Sequence, residues 1–151
     1  MKKSILLLCC VCCLTACTKY AVRGEQAAKF FQKDRVVYVV NNDATRDGFL
    51  NVMKDWLSKN QYRVKVINES TDISAPYLTY VGKWSWDLGI FLADSTIKIF
   101  SDGYERGASS IKVSNGFNLN KYGGTELKIN NLMSLLFFHQ MENGEKVKAN
   151  P

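Results

Sequence analysis

Hydrophobic positions change period from one stretch of the chain to the next, and each period predicts an element. Ile5 to Leu14 is an unbroken apolar run of ten residues. Arg35-Val-Val-Tyr-Val-Val40 is rich in β-branched residues and ends at Asn41-Asn42-Asp43, which predicts a strand with both faces buried. Phe49, Val52, Met53, Trp56 and Leu57 then recur at i, i+3, i+4, i+7 and i+8, the stripe of an amphipathic helix. Asp43 or Thr45 is placed to cap this helix, Asp47 favours its first turn, Lys59 suits its last, and Asn60 stands where a left-handed stop belongs. Tyr62 to Ile67 alternates as a half-buried strand does. Strand, helix and strand in such close succession predict a right-handed βαβ unit with parallel strands.

Beyond the polar loop from Asn68 to Ala75 the pattern becomes one of long alternating strands. Leu78, Tyr80, Gly82, Trp84 and Trp86 point to one side, and Thr79, Val81, Lys83, Ser85 and Asp87 to the other. A second run covers Ile90 to Phe100. The turn between the two falls at Asp87-Leu88-Gly89 or, alternatively, at Ala93-Asp94-Ser95. Asp102-Gly103 is a sharper hairpin signal, followed by a strand through Ser109 to Val113 and a closing Asn115-Gly116. A last helix begins at Asn118 or Asn120, with Tyr122, Ile129, Leu132, Met133 and Leu136 on its apolar face and Gly123-Gly124 weakening its first turn. The order β-α-β-β-β-β-α predicts an α/β (α+β) two-layer sandwich, a mixed five-stranded sheet with both helices on one face. The globular domain runs from 35 to 138, followed by a polar tail over 139–151.

The ten-residue apolar run is too short to span a bilayer, which takes about 20 residues. Preceded by Lys2 and Lys3, it has the form of a secretory signal peptide over residues 1–16. It ends in Leu14-Thr15-Ala16-Cys17, which resembles the lipobox of bacterial lipoproteins. That resemblance implies cleavage before Cys17, a thioether diacylglycerol and an N-acyl chain on Cys17, and a membrane partner reached through the lipid. Thr18 lacks the Asp that retains such proteins in the inner membrane of enterobacteria, so the resemblance further implies the outer membrane, periplasmic face. Residues 17–34 read as a lipidated N-terminus and tether, with Phe30-Phe31 placed to dock on the domain, the commoner outcome, or to dip into the membrane interface.

All five cysteines, Cys9, Cys10, Cys12, Cys13 and Cys17, lie in or at the end of the leader. A cleaved chain would therefore carry no internal disulfide. Four thiols inside an apolar run lack the loop spacing and further ligands of a zinc site. No metal or cofactor is expected beyond the covalent lipid. Loss of the leader removes two of 20 basic residues against 14 acidic ones, and the net charge falls from +6 to +4. The remaining Lys and Arg are scattered among acidic neighbours, so nucleic acid is not an expected partner.

Catalytic signals are thin. The single histidine, His139, ends the last helix, and Ser109, Ser110 and Ser134 stand in no nucleophile-elbow context. Asp87, Asp94 and Asp102 lie near strand ends, where turns recruit Asp for local hydrogen bonds. Gly123-Gly124 has no phosphate-loop spacing around it. The aromatic residues Tyr80, Trp84 and Trp86 are the most informative group, as candidates for a surface that binds an envelope protein or a glycan. A strand's apolar face usually packs, so two of the three are assigned to the core; a bulge at Gly82 or Ser85 would turn one tryptophan outward.

Tyr77 to Asp87, Ser101-Asp-Gly103 with Gly107-Ala108, and Gly116 with Asn118-Leu-Asn-Lys121 before an amphipathic helix resemble a family of small proteobacterial lipoproteins over about residues 35–138. The layout is distantly similar to the N-terminal domain of TolB and to curli-secretion-type envelope lipoproteins. These motifs are structural, so the resemblance implies place and fold, and a non-catalytic accessory or binding module rather than an enzyme. The alternative is a small periplasmic hydrolase working through the turn carboxylates.

Overall fold

In the computed structural model, residues 18–68, 74–113, 124–144 and 147 are described. Residues 1–17, Asn115-Gly116, the expected helix starts at Asn118 and Asn120, Tyr122 and Gly123 lie outside them. The described residues form a mixed α+β fold. Its strands are β1 (Thr18–Gly24), β2 (Val36–Val40), β3 (Arg63–Ile67), β4 (Tyr77–Trp86), β5 (Ile90–Ser101) and β6 (Tyr104–Val113). Its helices are α1 (Asp47–Lys59), α2 (Thr125–Phe138) and a short 3-10 turn at Ala27–Phe31.

The sheet has six strands in the order β1-β6-β5-β4-β2-β3, not the expected five. The added strand is β1, from the segment read as a tether. Its sequence, Thr-Lys-Tyr-Ala-Val-Arg-Gly, has only Tyr20 and Val22 to bury and so carries a weak alternation. What makes it a strand is the free edge of β6, which it covers antiparallel from Thr18↔Val113 to Gly24↔Gly107. Gly24 has φ 75°, a left-handed conformation that glycine adopts without a Cβ penalty, where the chain leaves the edge. The 3-10 turn then docks as foreseen for Phe30-Phe31: Phe31 is buried and stacks on Phe137 with centroids 5.9 Å apart.

The βαβ unit is present, with β2 parallel to β3 from Val36↔Arg63 to Val40↔Ile67. Two local expectations fail. No side chain caps α1: its N-cap is Arg46, and Thr45 Oγ1 instead accepts from the Gly82 amide at 3.2 Å. The left-handed residue after α1 is Gln61 (φ 64°), not Asn60 (φ −90°), whose amide side chain donates to the Trp56 carbonyl at 2.9 Å. β2 is also buried on one side only: Val37 and Val39 are inaccessible, while Val36, Tyr38 and Val40 are half-buried.

That difference follows from the layers. The inward row Tyr20, Ile111, Ser95 and Gly82 crosses four strands by direct pairing. Both helices pack on this side, with Phe49 of α1 beside Tyr80 and Asn131 of α2 donating to the Tyr20 hydroxyl at 3.3 Å. No described element covers the opposite side. Phe137 joins the layers, stacked with Phe31 and 5.1 Å and 5.2 Å from the rings of Trp56 and Tyr62. His139 ends α2 in a left-handed conformation, and the Glu142 amide donates back to Asn131 Oδ1 at 3.1 Å.

Candidate functional site

The three aromatic residues of β4 separate into three environments. Tyr80 is only 3% exposed, stacks on Phe49 at 5.2 Å, and its hydroxyl accepts from the Asn42 amide at 3.3 Å. Burial, and then the hydrogen bond with Asn42, set its pKa, with a net shift upward. Tyr80 is therefore core and is withdrawn from the candidate surface. Its neighbours explain the polar run after β2: Asn42 donates to the Tyr80 carbonyl at 2.8 Å and binds the β2–α1 connection to β4.

Trp84 is half-buried. It meets Phe49 edge-on at 6.3 Å, and the Arg46 guanidinium lies 5.3 Å from its ring centroid. It leans back over Gly82, where an added Cβ would come within 2.8 Å of the indole and 3.0 Å of Phe49. Glycine at 82 is thus the space that lets Trp84 fold onto the core. Trp84 is withdrawn with Tyr80.

Trp86 is 75% exposed. It pairs with Ile90 across the tip of the β4–β5 hairpin, whose turn is Asp87-Leu88-Gly89. The alternative turn at Ala93-Asp94-Ser95 lies inside β5. The pairing slips there, from Lys83↔Asp94 to Trp84↔Leu92, so the extra residue is Ala93 on β5 rather than Gly82 or Ser85 on β4. Leu88 (85% exposed) and Ile90 (54%) complete an apolar tip. Leu88 has φ 56°, a left-handed conformation that costs a non-glycine residue about 1–2 kcal/mol.

The uncovered side of the sheet carries charge that the linear sequence disperses. The row Lys19, Lys112, Asp94, Lys83 crosses β1, β6, β5 and β4. Lys19, Lys83 and Lys112 are exposed, and none forms an ion pair among the described residues. Farther along the same side, Glu105 binds both Arg23 and Lys98, the latter at 2.9 Å. Burial raises the Glu105 carboxyl, but the hydrogen bonds and charges of Arg23 and Lys98 outweigh it and hold the group below its ordinary value. A depression between these rows, lined by Ala21, Thr96, Ala108 and Ser110, holds about 200 Å³. Small-molecule sites usually hold roughly 300–1,000 Å³.

The residues weighed for catalysis do not assemble. Asp94 and Asp102 stand near opposite ends of β5, about 26 Å apart at the usual strand rise. Asp102 instead accepts from Ser101 at 3.0 Å and Arg106 at 3.3 Å. Ser109 and Ser134 are buried, on β6 and α2. His139 Nε2 is buried without a hydrogen-bond partner; burial, and then the Lys29 charge, lower its pKa. No cluster of metal-ligating side chains occurs among the described residues.

No family model matches the chain, and no curated protein matches it. Among solved structures it is similar to a minor lipoprotein from Acinetobacter baumannii, at 16% identity over 68% of this chain and 81% of that one, with a TM-score of 0.33. A likeness at that score carries no inference about activity. No helix among the described residues is long and apolar enough to cross a membrane. The sequence missed the basic row, because only strand register brings together lysines as far apart as positions 19, 83 and 112.

Proposed function

We propose that the chain is a lipid-anchored cell-envelope protein, attached through Cys17 and acting as a non-catalytic accessory or binding module on the periplasmic face of the outer membrane. The observation that carries this reading is Leu14-Thr15-Ala16-Cys17 closing a ten-residue apolar run. The geometry adds support. Strand β1 starts at Thr18, one residue after the proposed anchor, so the sheet edge would sit close to the bilayer. Acyl chains supply about 0.8 kcal/mol per buried CH₂, and more than one chain holds stably. The wide separation of Asp94 and Asp102 along β5 removes that pair from the hydrolase alternative.

Metabolic labelling with a fatty acid tests the anchor: label on the wild type and none on Cys17→Ser is the expected result, and equal label on both would refute it. Density-gradient fractionation tests the destination. Recovery with outer-membrane markers is expected, and recovery with inner-membrane markers would overturn that part of the reading.

A further inference from the structure

We infer that the β4–β5 hairpin tip, Trp86, Leu88 and Ile90, is a second membrane contact that seats in the bilayer interface beside the lipid anchor. This rests on the reading of Cys17 as lipidated, and it adds a surface which that reading does not require.

Four observations converge on the tip. Register places it at the anchored end of the sheet. The row Lys19–Lys112–Asp94–Lys83 runs straight across from β1 to β4, and Thr18 lies one residue beyond it. β4 continues three residues past that row to Trp86, opposite Ile90, because Ala93 is bulged out of β5. The Trp86–Ile90 pair therefore reaches about 7 Å farther than Thr18, at about 3.3 Å per residue, with Leu88 beyond it, while β5 lies only two strand spacings from β1, about 10 Å. Interfacial elements bury apolar side chains about 5–10 Å into the headgroup boundary, which matches this overhang.

The tip's composition is wrong for water and right for an interface. Trp86, Leu88 and Ile90 stand exposed within five residues of chain. Tryptophan favours the headgroup level, where its ring is apolar and its N–H stays wet. Leu88 holds a left-handed φ that Gly or Asn would hold more easily, so turn geometry does not account for it. Asp87, exposed in the same turn, sets the seat at the interface rather than in the hydrocarbon.

Charge agrees with the geometry. Behind the tip, on the sheet face opposite Trp86 and Ile90, Lys19, Lys83 and Lys112 form a row with the carboxylate of Asp94, and anionic headgroups attract such a row. The occupant is therefore a bilayer containing anionic phospholipid, with insertion confined to the tip.

The test uses the full chain, processed in cells, purified in detergent and reconstituted into vesicles of brominated phosphatidylcholine containing phosphatidylglycerol. Bromine quenches tryptophan only within the bilayer. Trp56 is buried and Trp84 packs on Phe49, so the quenchable emission is expected from Trp86. Trp86→Ala should remove most of the bromine-dependent quenching with the thermal melt unchanged. Leu88→Asn should reduce it. Vesicles without phosphatidylglycerol should quench less, and Lys83→Glu with Lys112→Glu should abolish that lipid dependence.

Fatty-acid label with no quenching keeps the anchor and overturns the tip. Loss of a crosslinked envelope protein on Trp86→Ala, without bromine quenching in the wild type, overturns it in favour of a protein interface. Absent label refutes the anchor instead. The same quenching on chain added to preformed vesicles then decides the tip alone, its presence supporting the contact and its absence overturning it.

Discussion

The two hairpins that share β5 end in opposite chemistries. The β5–β6 turn is Asp102-Gly103, with φ values of 55° and 79°, and Asp102 accepts hydrogen bonds from Ser101 and Arg106. Asp and Gly are the residues that tolerate this geometry, so backbone physics alone explains that turn. The β4–β5 turn also needs a left-handed residue, yet Leu88 supplies it, exposed, between exposed Trp86 and Ile90. A turn selected only to reverse the chain would not carry three exposed apolar side chains and a strained leucine. Departure from the cheapest local solution therefore marks one tip as a contact and the other as a connector.

Substitutions that test this contrast run from the core outward. Trp56→Ala sets the scale of true burial. Trp56 is nearly inaccessible and lies 5.1 Å from Phe137 and 5.9 Å from Phe138, so the cavity should cost about 3–5 kcal/mol in chemical denaturation. Gly82→Ala comes next, because the new Cβ meets the Trp84 ring and Phe49; overpacking of this kind costs about 1–3 kcal/mol and should expose Trp84, read as a red-shifted emission.

The tips themselves should respond with opposite signs. Gly103→Leu puts a side chain at φ 79° and should cost about 1–2 kcal/mol. Leu88→Asn relieves the same kind of strain and should stabilise by about 0.5–1 kcal/mol in denaturant midpoint while weakening bilayer quenching. If Leu88→Asn destabilises the protein, the leucine is packing that the exposure does not reveal, and the contrast between the tips fails.

The smallest effect is expected at Glu105, far from both the core and the tip. Its carboxyl is held below the ordinary glutamate value, so its contribution is fully present above that ordinary value and is lost as pH falls through the lowered one. The pair is partly exposed, so Glu105→Gln should cost at most about 1 kcal/mol at neutral pH. Melts compared at neutral and acid pH should show that difference shrinking as the carboxyl protonates.

Elements with a strong period were legible before any coordinates. The stripe from Phe49 to Leu57 is α1, the alternation after Tyr77 is β4, and Asp102-Gly103 is a turn, because side-chain periodicity and backbone tolerance are local properties. Of the candidate surface, the sequence left Trp84 and Trp86 undecided, and Trp86 is the one that stands exposed. Its release from the strand's packed side comes from the hairpin running past the helices, which no residue in the hairpin encodes.

The βαβ unit and the long strands are each written in a contiguous run of residues and can be read from the chain alone. Three things depend on the assembled fold: Thr18–Gly24 is an edge strand, Tyr80 is core with half-buried Trp84 packed against it, and Lys19, Lys83 and Lys112 share one row. The reason is common to all three. Each depends on pairing between residues far apart in sequence. β1 is held by β6, Tyr80 and Trp84 by Phe49 of α1, and the lysines by a register spanning four strands. Such contacts have no period along the chain, so they become visible only when the sheet is assembled.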